Sequence, residues 1–139
     1  MIPIALKLKR TAHKEVAKAQ DLIIEELYRT FDRAVLHGGT AIWRCYKSSR
    51  FSEDIDVYLP SQSDAINDFF EKLVKTGFVV VRKKISKKSA FSTLRFERTT
   101  VRFEVIFKKV ECFLGDYETT DGNLITIYTL KPEDLIKEK

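Results

Sequence analysis

Cysteine is scarce in this sequence: it has only Cys45 and Cys112, which lie far apart, and no Cys-x-x-Cys pair occurs. This excludes the common cysteine-based zinc motifs and the disulfide framework of small secreted domains. No apolar run approaches the roughly 20 residues that a membrane-spanning helix needs. The N-terminal stretch MIPIALKLKR places its charges after a short apolar run, the reverse of a secretory signal. We therefore predict a cytoplasmic protein with reduced thiols and no membrane partner.

Two common enzyme motifs are also missing. Neither Gly-x-x-x-x-Gly-Lys nor Gly-x-Ser-x-Gly occurs, so a P-loop ATPase or an α/β-hydrolase is not indicated. The chain has 139 residues, of which 44% are hydrophobic and 32% charged, as in an ordinary globular protein. This length suits one domain with a real core, so we assign residues 1–139 to a single domain.

Positive charge is in moderate excess, with a formal net charge of +5 and a sequence pI of about 9.2. Such an excess favours encounters with polyanions, although a well-solvated surface explains it equally well. The densest basic run is RKKISKK at 82–88. This run is typical of a solvated hairpin tip and is also able to follow an RNA backbone.

Hydrophobic periodicity predicts a mixed α/β domain in which helices alternate with short strands. Helices are predicted at 11–31, 40–47 and 63–76, with a further helix starting near Pro132. Strands are predicted at 33–37, 55–59, 78–85, 91–98, 101–110 and 124–128, the last one following a hairpin turn at 119–123. Thr40 is the expected cap of the second helix and Ser63 that of the third, which should end at Gly77.

A glycine pair separates the first predicted strand from the second helix. The order strand, tight turn and helix leaves backbone N–H groups free at the helix start. Gly38 and Gly39 have no Cβ, so a phosphate is able to approach the backbone closely there. By itself, a Gly-Gly pair more often marks an ordinary turn.

Two aspartates follow on the next strand. Side chains alternate along a strand, so Asp54 and Asp56 project from one face while Ile55 and Val57 enter the core. At ~4 Å and an effective dielectric of about 20, repulsion between two carboxylates is on the order of 4 kcal/mol. A Mg²⁺ ion, which prefers carboxylate and phosphate oxygens, removes that repulsion. An exposed strand face with two solvated acids is the alternative.

The glycine turn, the helix and the Asp-x-Asp strand together resemble the nucleotidyltransferase superfamily that includes DNA polymerase β. Within it, the stretch GGTAIWRCYKSSRFSEDIDVYL is most similar to the AbiEii-type abortive-infection toxin family. That family reads Gly-Gly-Thr-Ala-Leu and then Arg-x-Ser-x-Asp-Ile-Asp-Leu. The matching positions are Gly38, Gly39, Thr40, Ala41, Arg50, Ser52, Asp54, Ile55 and Asp56.

The resemblance implies a minimal nucleotidyltransferase fold, with a mixed and mostly antiparallel sheet and helices on one face. It also implies that Asp54 and Asp56 hold two Mg²⁺ ions for in-line transfer of NMP from an NTP. Gly38, Gly39 and Thr40 would then bind the triphosphate. Arg50 would pair with a phosphate or form a structural salt bridge, and Ser52 would hydrogen-bond near the metal.

The superfamily supplies a third acid from a neighbouring strand. In the predicted strand 101–110, Glu104 is an acid within an apolar stretch, which is costly unless the acid is paired or bound to a metal. We favour Glu104 as the third metal ligand or catalytic base. The competing interpretation is an ion pair between Glu104 and Arg102, and Glu97 and Glu111 are weaker alternatives.

The end of the chain also resembles the family. KPEDLIKEK matches a family stretch that carries a lysine near the nucleotide, which places Lys139 at that position. An ordinary helix lysine is the alternative. The family continues into a helical domain, which we expect to be absent or truncated here.

The leading hypothesis is a Mg²⁺-dependent nucleotidyltransferase that transfers NMP to a hydroxyl of a nucleic acid, such as tRNA or another RNA, or of a protein. As a toxin it would have an antitoxin or a helical partner protein. The alternative is a degenerate or truncated fold that binds a nucleotide, an RNA or a partner. A plain RNA-binding domain is a third hypothesis.

Overall fold

A computed structural model of the chain describes residues 11–48 and 51–137. Its helices are α1 (Thr11–Thr30), α2 (Gly38–Tyr46), α3 (Ala65–Thr76) and α4 (Pro132–Lys137). Its strands are β1 (Val35–His37), β2 (Ile55–Leu59), β3 (Phe78–Ile85), β4 (Ser89–Phe96), β5 (Thr99–Phe107), β6 (Phe113–Glu118) and β7 (Leu124–Thr129). None of the helices in these ranges combines the length and apolarity that a membrane crossing requires.

The seven strands form one sheet in the order β3-β4-β5-β2-β1-β7-β6. Among the strands within the described residues, only the β2–β5 and β1–β7 pairs are parallel; the others are antiparallel. The predicted mixed and mostly antiparallel sheet is therefore confirmed. Asp56 lies at its centre, level with His37 on β1 and with Glu104 on β5.

The core lies between this sheet and helices α1 and α3. Alternate residues of the central strands are buried: Ile55, Val57 and Leu59 of β2, and Val101, Phe103 and Val105 of β5. The aromatic rings of Phe69 and Phe70 on α3 pack on Phe103, with centroids 5.1 and 6.3 Å away. Since side chains alternate along a strand, the intervening Asp56 and Glu104 project from the opposite face of the sheet, which is open.

Two parts of the sheet differ from the predicted pattern. Strand β6 was not predicted, because Gly115 and Asp116 give FLGDYE a low strand propensity; pairing with β7 stabilises it as an edge strand. The β4–β5 hairpin is displaced towards the N-terminus by about two residues, because its turn lies at Glu97, whose φ is +56°. The predicted turn at 119–123 is confirmed by a hydrogen bond from Thr119 N to Asn123 O.

A buried arginine joins α2 to α1 and β6. Arg44 is fully buried and donates to Asp21 Oδ1 at 2.7 Å, to Ala17 O and Glu118 O at 2.8 Å each, and to Gln20 Oε1 at 3.2 Å. Burying a cation is costly unless it is paired and hydrogen-bonded. These four acceptors satisfy its two terminal nitrogens, whereas the buried Nε has no hydrogen-bond partner among the described residues.

Asp21 completes the network around this cation. Its carboxylate accepts hydrogen bonds from the Tyr117 hydroxyl at 3.1 Å and from the backbone and hydroxyl of Thr120 at 2.9 and 2.7 Å. Burial raises the pKa of Tyr117 well above its ordinary value, so the phenol remains a donor. The network fixes α2 between α1 and the β6–β7 turn.

Candidate active site

The glycine turn passes directly from β1 into α2. Helix α2 begins at Gly38, whose φ of +75° lies in the left-handed region that favours glycine. A Cβ at Gly38 would stand 2.6 Å from Asp56 Oδ2, and one at Gly39 would stand 2.9 Å from Ser52 Oγ. A Cβ at either glycine would therefore force the Asp56 or Ser52 side chain to move, and the Asp56 carboxylate faces the turn.

Thr40 was predicted to cap α2, and this prediction is wrong. The helix begins two residues earlier, and its cap residue is His37, with no side-chain capping hydrogen bond. The buried Thr40 hydroxyl instead donates to the backbone carbonyl of Asp54, and it lies 3.1 Å from Ser52 Oγ. Thr40 thus joins α2 to the segment that leads into β2.

The same segment is also held from α1. Gln20 Nε2 donates to Ser52 O at 2.9 Å, and the Phe51 ring stacks on His13 with centroids 3.9 Å apart. Phe51 also meets the edge of Trp43 at 5.1 Å. Contacts from two helices therefore fix the backbone immediately before Asp54.

Three predicted acids lie on the open face of the sheet. Asp56 and Glu104 are direct neighbours across the parallel β2–β5 pair, and Asp54 precedes β2 by one residue. Asp54 Oδ1 accepts a hydrogen bond from Arg102 Nε at 3.2 Å. The expected alternative partner of Arg102 was Glu104, but the register places Arg102 level with Asp54 instead.

An open cleft of about 340 Å³ lies in front of the glycine turn. It is lined by Gly39, Ile42, Ser48, Phe51, Ser52, Glu53, Asp54 and Arg102. The Arg102–Asp54 ion pair crosses this cleft with side chains 65% and 41% exposed. Such an exposed pair is weak, so a ligand is able to displace it at little cost. The sequence pattern predicted Arg102 only as a partner of Glu104, and the structure places it in the cleft.

The donor chemistry of this face suits a hard cation. Asp54, Asp56 and Glu104 offer only carboxylate oxygens, the ligands that Mg²⁺ prefers. Across residues 11–48 and 51–137, no three acidic, imidazole or thiol side chains converge closely enough to form a metal site by themselves. The residues fit Mg²⁺ by ligand type, and Arg102 would have to release Asp54 for all three acids to serve.

Other residues considered near the turn do not reach the cleft or lie outside the described ranges. Trp43 is only 2% exposed, so it packs in the core and does not offer a face for a base. Burial raises the pKa of Cys45 to about 12, which keeps the thiol protonated and unreactive at neutral pH. Arg50 and Lys139, both expected to bind nucleotide, lie outside the described residues.

Comparison with solved structures supports the fold. The chain resembles a crystal structure of JHP933 from Helicobacter pylori, with a TM-score of 0.65 and 18% identity over 93% of this chain and 56% of that one. It also resembles a candidate nucleotidyltransferase from H. pylori, with a TM-score of 0.61 and 19% identity over 94% of this chain and 58% of that one. The chain therefore spans less than two thirds of either neighbour.

The sequence comparison identifies the family. No curated protein sequence matches at a significant level. The family model described as the nucleotidyl transferase AbiEii toxin of type IV toxin–antitoxin systems matches residues 25–139, a range that contains the glycine turn and all three acids. On this match, and with the fold and the glycine–acid arrangement in agreement, the chain belongs to the AbiEii nucleotidyl transferase toxin family.

Proposed function

We propose that this chain is a Mg²⁺-dependent nucleotidyltransferase that transfers NMP from an NTP to a hydroxyl group of an RNA, such as tRNA, or of a protein. The observation that carries the proposal is the packing of the Asp56 carboxylate against Gly38. Glu104 is the cross-strand neighbour of Asp56, and Asp54 shares a cleft with Gly39. These positions support the proposal, because the turn that would hold a phosphate lies against Asp56, and Glu104 and Asp54 are neighbours of Asp56 on the sheet.

In this proposal Asp54, Asp56 and Glu104 hold up to two Mg²⁺ ions, which when bound neutralise charge on the triphosphate and orient it. The backbone N–H groups at the start of α2, from Gly38 to Thr40, would donate to phosphate oxygens. The acceptor oxygen attacks the α-phosphorus, the bond to pyrophosphate breaks, and the acceptor proton passes to a carboxylate. Glu104 is the proposed proton acceptor.

Further residues and partners belong to the same proposal. Ser52 lies against Gly39, within reach of a phosphate at the turn. Arg50 and Lys139 are proposed to contact the triphosphate. Because the family is one of toxin–antitoxin systems, an antitoxin or a helical partner protein is proposed as a binding partner in the cytoplasm.

One observation favours a second function, that of a binding module without catalysis. Asp54 is paired with Arg102, and within the described ranges the acids do not converge into a metal site. A chain fixed in that state would bind a nucleotide, an RNA or a partner protein without transferring NMP.

Incubation with each α-labelled NTP, Mg²⁺ and total RNA distinguishes the two functions. We expect one NTP to label an RNA band or the protein itself, and we expect EDTA to abolish the labelling. Label that is retained on a filter with the protein, but never becomes covalently attached to RNA or protein under any NTP, would indicate the binding module and contradict the enzyme.

A second prediction concerns Arg102. Because this guanidinium competes with a cation for Asp54, Arg102→Gln should lower the half-saturating Mg²⁺ concentration for transfer by about two- to fivefold, the range of an exposed ion pair. A Mg²⁺ titration at saturating NTP and acceptor measures this. Arg98→Gln, in the β4–β5 turn, removes the same charge away from Asp54 and should leave the titration unchanged. A higher Mg²⁺ requirement for Arg102→Gln would contradict the competition.

A further inference from the structure

A second cleft, of about 310 Å³, lies on the open face of the sheet beside the acids. It is lined by Arg82, Lys84, Phe91, Ser92, Thr93 and Arg102. Arg102 borders both this cleft and the cleft at the glycine turn. The two clefts therefore adjoin at the Arg102 side chain.

Strand register arranges this surface in two rows that lead to the acids. In the first row, Arg82 on β3 pairs with Thr93 on β4, which pairs with Arg102 on β5. Arg102 then contacts Asp54. With strands about 4.8 Å apart, the row extends roughly 14 Å from the sheet edge to Asp54.

The second row runs parallel to the first. Lys84 on β3 pairs with Phe91 on β4, and Phe91 pairs with Glu104 on β5. Glu104 is in turn the cross-strand neighbour of Asp56. Each row thus begins with a cation at the sheet edge and ends at a candidate metal ligand.

The basic run 82–88 contributes to this surface through its alternation. Its first four residues, 82–85, belong to strand β3, whose predicted bounds of 78–85 are confirmed, and residues 86–88 form the hairpin tip before β4. Arg82 and Lys84 therefore point to the open face, whereas Lys83 lies over the Phe70 ring on the helix side at 5.3 Å. Because of this alternation, two of the basic side chains, Arg82 and Lys84, lie together on the open face of the sheet.

Phe91 lies in the middle of this surface and is 48% exposed. An exposed ring beside cations is the usual platform on which an unpaired base stacks while the cations contact its phosphates. A purely apolar partner fits poorly, because the neighbours of Phe91 in the cleft are Arg82, Lys84, Thr93 and Arg102. The charge of the surface is complementary to a polyanion.

We propose that this surface binds the single-stranded end of a nucleic acid. One base stacks on Phe91, the backbone phosphates lie beside Arg82 and Lys84, and the terminal hydroxyl reaches the acids. A base inside a duplex is stacked on both faces and offers none to Phe91, which favours single strands over duplexes. The identification of this strand as the acceptor rests on the proposed function, whereas the binding itself does not.

Fluorescence anisotropy with labelled 12-nucleotide single-stranded RNA and DNA, and with a blunt RNA duplex, tests this binding. The titrations contain EDTA and no NTP, and they are repeated at several salt concentrations. We expect at least one single strand to bind at least tenfold more tightly than the duplex. If the single-stranded RNA and the single-stranded DNA both bind, the surface contacts phosphates and bases only. If one of them binds, the surface also distinguishes ribose from deoxyribose.

Two variants separate stacking from charge. Phe91→Ala should weaken single-strand binding at least fivefold without changing the salt slope. The double variant Arg82→Gln/Lys84→Gln should reduce the slope of log K against log[salt] by about 1.4, since each phosphate contact contributes about 0.7. The matched controls are Leu114→Ala, an exposed apolar residue on β6, and the double variant Lys18→Gln/Lys75→Gln on the helix side.

Duplex binding equal to single-strand binding, or site variants that behave like their controls, would overturn this proposal. Asp56→Asn should bind the strand at least as well as the unmodified chain. If the unmodified chain does not transfer NMP, but still binds the single strand in a way that depends on Phe91, only the proposed enzymatic function is wrong. If transfer occurs but Phe91→Ala binds normally, only the sheet-face site fails. Circular dichroism melts confirm that every variant is folded.

Discussion

Asp56→Asn is expected to lower NMP transfer by about a thousandfold or more while the protein stays folded. Asparagine has the same shape, so the contact with Gly38 persists, but the anionic ligand for Mg²⁺ is lost. A metal ion supplies several kcal/mol of charge stabilisation in the transition state, and each 1.36 kcal/mol corresponds to a tenfold change in rate. Initial rates with the labelled NTP found to react measure the effect, and a urea titration checks folding.

Glu104→Gln belongs to the same experiment, because Glu104 is the neighbour of Asp56 across the sheet. Its loss should also reduce transfer strongly. Glu97→Gln is the matched control: Glu97 lies in the β4–β5 turn, away from this neighbour, and should keep full activity. Normal transfer by Asp56→Asn would end the enzymatic proposal. If Asp56→Asn and Glu97→Gln lose transfer while Glu104→Gln keeps it, the third acid lies in that turn.

Much of this architecture was predictable because it depends on local patterns. Apolar periodicity predicted α1 and α3 to within two residues at either end, and alternation predicted β2 at its observed limits. The Asp-x-Asp spacing predicted two aspartates projecting from one strand face; Asp56 does so on β2, whereas Asp54 lies one residue before the strand, beside Arg102. The same rule predicted that Glu104 projects from the strand face opposite Phe103 and Val105, as observed; its role as metal ligand or catalytic base stays a prediction.

Cross-strand register is not encoded in local sequence patterns, and this explains the main differences between the predicted and the observed contacts. A shift of one residue between β2 and β5 would change the partner of Arg102, and no sequence pattern fixes that shift. Only the register shows that Arg102 meets Asp54 and that Phe91 is level with Glu104. Likewise, the close approach of Asp56 to Gly38 gives the glycine a packing role that the turn motif did not reveal.

The burial of Arg44 was not predicted, for a related reason. A basic residue in the last turn of a short helix is typically a solvated residue that interacts with the helix dipole. Here the acceptors come from α1 and β6, elements distant in the sequence, so nothing within α2 indicates that the side chain is buried. The tertiary contacts override the local pattern, and the consequence for stability is testable.

Arg44→Met is expected to reduce the free energy of unfolding by about 3–5 kcal/mol, the range for removing one partner of a buried ion pair. Methionine fills much of the space but leaves Ala17 O, Glu118 O and the Asp21 carboxylate without the guanidinium. Because small domains are stable by only about 5–15 kcal/mol, the loss should be plain in the urea midpoint.

Arg29→Met is the matched control, since Arg29 pairs with Glu25 and Glu26 on α1 but is 68% exposed, and its loss should cost at most about 1 kcal/mol.

Asp21→Asn should also destabilise the protein, because it leaves the Arg44 cation buried without its counter-charge. The double variant Arg44→Met/Asp21→Asn should lose less than the sum of the two single variants, since no uncompensated buried charge remains. Strict additivity, or an Arg44→Met variant as stable as Arg29→Met, would show that this buried pair does not hold α2, and with it the glycine turn, in place.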